Sequence, residues 1–261
     1  RNRFNFFSKV TTNKTNRAIP GFSFSDKVDS RPKQYFKEPL PFEFEVLDHH
    51  FIPEHIKRPE YVTNTNFDYY NKSLAIHRSL DEVQKHRESC KITASVLSHI
   101  EKFCQSDQFN STEDIDREVH SHILSHGAYP TAVGFMGFPK SVCTSVNEIA
   151  VHGVPNTRIL NEGDSINVDV TSYYKGYHGD SSIMTYKNRS KVDKEILKLG
   201  EVTRESMFKA ISYCKPGEKI ANIGKIIEEY ITKFGYAVVK EFSGHGVGKE
   251  VHMNHSILHF D

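Results

Sequence analysis

Two aspartates stand close together in the stretch Asn167–Ser182, which reads NVDVTSYYKGYHGDSS. Val168 and Val170 alternate with Asn167, Asp169 and Thr171, the period of a half-buried strand. Tyr174, Lys175 and Gly176 make a tip, with glycine free to take a positive φ angle. Folding the stretch about that tip predicts a hairpin that brings Asp169 and Asp180 within about one register step of opposite. Carboxylates that close repel unless positive charge lies between them. A proton could supply it, and a divalent cation suits such an oxygen-rich pair better. Either aspartate taken alone is as readily a solvent-facing turn residue, so the metal reading needs support from elsewhere in the chain.

The histidines supply some. There are 15 of them, several beside glycine. His152 lies in Val151-His152-Gly153-Val154-Pro155, just before a turn, where an imidazole can be structural or catalytic. His245 lies in Gly244-His245-Gly246-Val247-Gly248, where glycines clear space around the ring. His252 follows, with Glu250, His255 and His259 crowding the same segment. Imidazole is a common ligand for divalent transition metals, so His245 with the two aspartates would make a mixed nitrogen and oxygen site. The run GHGVGK looks like a phosphate-binding loop only superficially. No continuous P-loop or dinucleotide fingerprint precedes a helix there, and a nucleotide reading is rejected.

The elements that must carry these residues are legible in outline. Ser79-Leu80-Asp81-Glu82 forms a capping box, and Leu80, Val83, Cys90, Ala94, Leu97, Ile100 and Cys104 then predict a long amphipathic helix. Ser111 opens a second helix, with Ile115, Val119 and Ile123 inward, that stops at Gly127. Ile196, Leu199, Thr203, Met207, Ala210 and Cys214 trace a third, broken by Pro216-Gly217. Ile220, Ile223, Ile227, Ile231 and Phe234 trace a fourth, ended by Gly235. Each half thus runs helix, helix, Gly, then a Tyr-containing strand, and each then presents His-Gly-Val, at His152 and at His245. That order predicts two related α+β halves facing each other across a cleft. It also predicts a counterpart of the aspartate hairpin beyond Asp261, so the chain reads as lacking a C-terminal segment.

Composition excludes several classes. A net charge of +1 with no basic stripe argues against nucleic acid as the main ligand. No apolar run approaches the roughly 18–20 residues of a membrane span. Four cysteines without paired spacing fit a reducing compartment and give no zinc-finger signal. Residues 1–75 lack sustained periodicity and are proline-rich, which predicts an extended arm anchored by aromatics such as Phe42, Phe44 and Phe51. Within it, residues 1–25 carry basic side chains and no acidic one. They read either as the remnant of a targeting segment or as a plain basic extension. Residues 76–261 read as the folded domain that carries the candidate site residues.

The segments FPKSVCTSVNEIAVHGVP, GDSINVDVTSYYKGYHGDSS and FSGHGVGKEVH, in that order, resemble the signature of type 1 methionine aminopeptidases. The match runs from about Pro53 to Asp261, and Cys143 in its segment favours type 1 over type 2. The resemblance implies the pita-bread fold, an α+β architecture of two pseudo-symmetric helix–helix–sheet halves around a central cleft. It implies two divalent metal ions per chain, cobalt, manganese, iron or zinc. Asp169 would chelate one ion, Asp180 would bridge both, and His245 would ligate the second. Two glutamates that complete the family's site have no counterpart before Asp261. A metal-bridged water would attack the peptide carbonyl after the initiator methionine. His252 would hydrogen-bond that carbonyl, and His152 would contact the substrate backbone and assist proton transfer. Phe135, Phe138 and Cys143 would line the methionine pocket, with Ala132 and Val251 beside them. Val151, Phe135 and the run Met253, Asn254, His255 depart from many relatives, which touches the pocket's shape rather than the reaction. The implied partner is the N-terminal methionine of a nascent chain, with ribosome association, a monomeric state and no membrane contact. The compartment is cytoplasmic, or alternatively a mitochondrion or plastid-type organelle. Two competing readings are a prolyl-type aminopeptidase of the same fold and a pita-bread binding module without catalysis.

Overall fold

The computed structural model describes residues 44–69, 79–106 and 108–261. The Phe42 anchor, residues 1–25 and the boundary at 75 and 76 lie outside them. In chain order the helices are α1 (Glu60–Thr63), α2 (Leu80–Gln105), α3 (Thr112–Ser125), α4 (Lys194–Tyr213) and α5 (Ala221–Ile231). The strands are β1 (Tyr129–Pro130), β2 (Cys143–Val146), β3 (Ser165–Tyr174), β4 (Tyr177–Tyr186), β5 (Gly244–His245) and β6 (Ser256–Ile257).

β3 is the axis of the main sheet. It pairs with β4 along one edge and with β2 and β1 along the other, all antiparallel. The turn between β3 and β4 is shorter than the sequence suggests, because Tyr174 still pairs with Tyr177. Only Lys175 and Gly176 remain in the loop, with φ of 49° and 88°. Two positive φ values mark a type I′ turn, whose twist matches that of the flanking strands and so fixes the register.

One face of β3 is apolar: Ile166, Val168 and Val170 have no exposure, and each such side chain is worth roughly 1.5–3 kcal/mol of burial. That face packs with Val96 and Ile100 of α2 and with Ile115, Val119 and Ile123 of α3 in a single core. The α3 stripe and its stop, Gly127 at φ 68°, match the sequence expectation.

The expected α2 stripe is only half right. Leu97, Ile100 and Cys104 face inward, whereas Leu80 is 90% exposed and Cys90 and Ala94 are exposed too. The N-terminal half of α2 instead buries Ser89 and Thr93 against β3 and β4. Ser89 Oγ donates to Ser172 O at 3.0 Å and Thr93 Oγ1 to Gly179 O at 2.8 Å. Small hydroxyl side chains let the helix backbone approach the sheet while supplying hydrogen bonds, so the apolar count misplaces the stripe there. A Cβ at Gly179 would lie 2.7 Å from the backbone of Ser89 and Cys90.

α4 shows the same bias. Val202, Ser206 and Ala210 are its buried residues, while Leu199, Thr203, Met207 and Cys214 are exposed. Helix α5 packs against α4, with Gly224 and Ile231 buried, and passes through a 3₁₀ turn (Thr232–Phe234) to Gly235 at φ 81°. The second half therefore repeats the helix pair and carries the two-stranded ribbon of β5 and β6. In the arm, Phe44 and Phe51 are not anchors, at 39% and 78% exposure. Ile52, Ile56 and Tyr61 take that role.

Replacing Gly179 by alanine should destabilise the protein by about 1–3 kcal/mol, because rigid backbone blocks the new methyl group. A lower urea midpoint at unchanged slope measures this. An unchanged midpoint contradicts the close helix–sheet contact.

Candidate metal centre and cleft

Asp169 lies in β3 opposite Ser182, and Asp180 lies in β4 opposite Thr171. The aspartates are therefore diagonal neighbours on one face of the sheet, the face opposite the valine core. Thr171, directly opposite Asp180, donates from Oγ1 to Asp180 Oδ1 at 2.9 Å and holds that carboxylate in place. Cys143 in β2 is paired with Asp169 across the other edge and shares the same face.

This pairing has an electrostatic cost. Burial first, and then the facing Asp180 carboxylate, raise the pKa of Asp169. Asp180 is raised by burial, against the pull of the Thr171 hydroxyl and of His245. Burial, then Asp169 and Asp180, push the Cys143 thiol well up, so it stays protonated and is no nucleophile. Two half-buried carboxylates in contact, with a thiol beside them, form a site whose charge is satisfied by a cation.

The third donor comes from the second half. His245 Nε2 lies 3.7 Å from Asp180 Oδ2, while its Nδ1 is 3.2 Å from Gly246 O. That leaves Asp180 in the middle, with Asp169 on one side and the imidazole on the other. The β5–β6 ribbon is tied to the main sheet by the Gly248 carbonyl, which accepts from His178 N at 2.7 Å. Lys249, next in sequence, reaches Glu82 at the start of α2 at 2.6 Å. A Cβ on Gly246 would crowd Met253 at 3.2 Å, which accounts for one glycine of the motif.

His252 is brought to the same place, its ring 4.3 Å from that of His245 and nearly perpendicular to it. His152 sits at φ 57°, in the left-handed region, and its neighbour Gly153 is pinned to β2. Thr144 N donates to Gly153 O at 2.8 Å, and a Cβ there would strike Thr144 O at 2.1 Å. His152 is solvent-exposed, yet enough protein crowds its ring that desolvation lowers its pKa, opposed by the Asp180 carboxylate.

A cavity of about 810 Å³ opens beside these groups, bordered by Phe135, Val251 and His252 and walled by Tyr61, Tyr69 and His178. The aspartates do not line it, so His252 is the bridge between cavity and carboxylates. Phe135 meets His252 at 5.4 Å and Tyr61 and Tyr69 edge-on at 5.2 and 5.4 Å. Phe138 is buried and lies outside this lining.

Four residues of the site were given no role by the sequence. Thr171 had a signal, since its spacing puts it on the face of Asp169. Tyr61, in the single turn of α1, and Tyr69 had none, because the arm's sequence has no sustained periodicity. His178 is buried beside Thr131, whose Oγ1 is 2.9 Å from its Nδ1. Burial, with His252 and His86 nearby, lowers its pKa to about 3, so it stays neutral.

The donor set fits a divalent ion: two carboxylates that need a cation, and an imidazole within reach of one of them. Comparison with known proteins agrees with that chemistry. The model of metallopeptidase family M24 matches residues 84–260. A methionine aminopeptidase 1D, chloroplastic/mitochondrial, of Arabidopsis thaliana is 42% identical over 209 residues, covering 80% of this chain and 58% of that protein. The chain thus spans little more than half the length of that relative. The crystal structure of methionine aminopeptidase from Rickettsia prowazekii superposes with a TM-score of 0.67 at 36% identity, over 72% of this chain and 74% of that one. A prolidase from Pyrococcus furiosus, at 20% identity and TM-score 0.59 over 73% of this chain and 54% of that one, shares the fold. The α+β pita-bread architecture, the paired aspartates and these likenesses converge: the chain belongs to metallopeptidase family M24, among the methionine aminopeptidases.

Proposed function

We propose that the full-length protein removes N-terminal methionine from nascent proteins and peptides by metal-dependent hydrolysis. The observation that carries this reading is the diagonal Asp169–Asp180 pair with His245 on its open side. Asp169, Asp180 and His245 would hold divalent ions, two per chain, drawn from cobalt, manganese, iron or zinc. Such ions polarise a carbonyl and lower the pKa of water toward neutrality. His252, between the carboxylates and the cavity, would donate a hydrogen bond to the scissile carbonyl and to the charge that develops on it. His152, kept neutral near pH 7 by desolvation, would accept and return a proton at the substrate amine.

Phe135, Phe138 and Cys143, with Ala132 and Val251 beside them, would receive the methionine side chain. Thioether burial is worth roughly 1.5–3 kcal/mol and sulfur–aromatic contact adds about 0.3–1.5. Phe135, in edge contact with His252, would couple the pocket to the carbonyl-binding group. Cys143, held protonated, would act as a small apolar wall.

The compartment is cytoplasmic or, in line with the chloroplastic and mitochondrial enzymes among the relatives' printed names, an organelle. No helix among the described residues is long and apolar enough to cross a membrane. The enzyme would act as a monomer on the N-terminal methionine of nascent chains, in association with the ribosome.

Full-length protein should release methionine from Met-Gly and Met-Ala peptides, lose that activity to a chelator and regain it with added divalent ion. Asp180→Asn should lower kcat/KM by on the order of a thousandfold, about 4 kcal/mol. Release from Xaa-Pro dipeptides in its place would establish the prolyl-type alternative. A protein that binds no divalent ion and cleaves neither would be a binding module.

Phe135→Ala should cost about tenfold in kcat/KM for Met-Ala while leaving the melting temperature almost unchanged, because the ring is only half-buried. An equal loss for a substrate with a different first residue would remove Phe135 from the methionine pocket.

A further inference from the structure

A second group of buried charges lies where residues 48–51 cross α3. Glu113 and Asp116 are 2% and 0% exposed, and each divides its oxygens between two jobs. Asp116 Oδ1 accepts the Ser141 amide at 2.7 Å, and Glu113 Oε2 takes the Lys140 ammonium at 2.6 Å. The remaining oxygens, Asp116 Oδ2 and Glu113 Oε1, make no hydrogen bond among the described residues. They face His50 Nε2 at 3.3 and 3.6 Å, an atom that likewise makes none. All three donor atoms lie within 4.8 Å of one another.

Those separations suit coordination. Four ligands at about 2.0–2.1 Å from a zinc-like ion stand about 3.4 Å apart along the tetrahedron's edges. The other carboxylate oxygens are held by Ser141 and Lys140, the outer partners that orient metal ligands. Charge points the same way. Lys140, 0% exposed, is a single positive charge shared by the two carboxylates, 2.6 Å from Glu113 Oε2 and 3.6 Å from Asp116 Oδ2. One negative charge therefore needs a cation or a proton.

The groups facing the cluster are accounted for. The His120 ring lies tilted 5.1 Å from that of His50, but both its nitrogens are engaged, Nδ1 with Ser141 Oγ at 2.8 Å and Nε2 with Phe51 O at 3.0 Å. Burial, and then the Lys140 charge, lower the pKa of His50 and favour the neutral imidazole that metals take. Burial raises that of Asp116 to about 6, against the pull of the Lys140 charge. The His50 side chain keeps 27% exposure overall, while its Nε2 is buried with the carboxylate oxygens, and a water would be the fourth ligand of a tetrahedral ion.

We propose that His50 Nε2, Glu113 Oε1 and Asp116 Oδ2 form a tetrahedral transition-metal site of the zinc class, separate from the Asp169–Asp180 centre. An ion there clamps the arm residues 48–51 onto α3. The clamp does not depend on the peptidase reading.

The test uses full-length protein carrying Asp169→Asn and Asp180→Asn, which silence the first centre, with Co²⁺ as the spectroscopic probe. The double variant should bind one equivalent of Co²⁺ with the intense visible bands of tetrahedral coordination, and Zn²⁺ should displace it. Adding His50→Ala should weaken Co²⁺ binding at least tenfold and remove those bands. Zn²⁺ should raise the melting temperature of the double variant and not of the triple. His50→Gln, which keeps the side-chain volume, serves as the second variant where His50→Ala perturbs the fold. Absence of Co²⁺ binding in the double variant, or equal binding with and without His50, overturns the proposal. The cluster is then an ion-pair network completed by a proton.

Discussion

The structure turns on the placing of two carboxylates side by side in a partly buried setting. Asp169 and Asp180 lose hydration and repel each other, so every element around them either fixes their geometry or supplies compensating charge. The fixing begins with backbone. The two-residue turn at Lys175 and Gly176 sets a register that makes the aspartates diagonal rather than directly opposed. The register is then locked from behind, where Gly179 lets α2 lie against the sheet and Ser89 and Thr93 bond to it. Hydrophobic burial on the valine face thus does electrostatic work on the other. A one-residue slip would exchange the two faces and put the carboxylates in the core.

The compensating side comes from a different part of the chain. His245 and His252 arrive on a short ribbon whose own two-residue strands hold little. Its place depends on the Gly248 carbonyl at His178 and on Lys249 at Glu82, the residue that also caps α2. The helix cap and the placing of the histidine ribbon therefore share one carboxylate. The three hydrogen-bonding partners of Glu82, Lys249, Tyr177 and the Ser79 amide, hold its pKa low, at about 2, so the shared anchor stays charged across the neutral range.

Much of this was legible in the sequence, and the parts that were not share a physical reason. The hairpin, the α3 stripe, both glycine stops and the Pro216-Gly217 break follow from local rules of φ angle and spacing. The misplaced stripes on α2 and α4 arise where small polar residues are buried: Ser89 and Thr93 in one, Ser206 in the other, while Ala210 faces inward as its spacing predicts. A hydrophobic count cannot see such faces. The Phe44 and Phe51 anchors failed because irregular arm residues have no period to show which side faces in. The aspartate pair could be read because its members are close in sequence. The His50, Glu113, Asp116 and Lys140 group could not, since it assembles from three separate segments.

That distance in sequence hides a connection between the two charged groups. The segment from Phe138 to Cys143 touches both. Lys140 and Ser141 are bound to Glu113 and Asp116, while Cys143 is paired with Asp169. The Asp116 charge adds to those of Asp169 and Asp180 in raising the Cys143 thiol, so the clusters share a field as well as a strand. Rigid burial makes such coupling effective, because a packed loop has few intermediate positions to relax into. The arm, which supplies His50 to one cluster and Tyr61 to the cavity wall, is held at both ends of the same short path. An ion that fixed residues 48–51 on α3 would restrain the same arm that carries Tyr61 to the cavity wall.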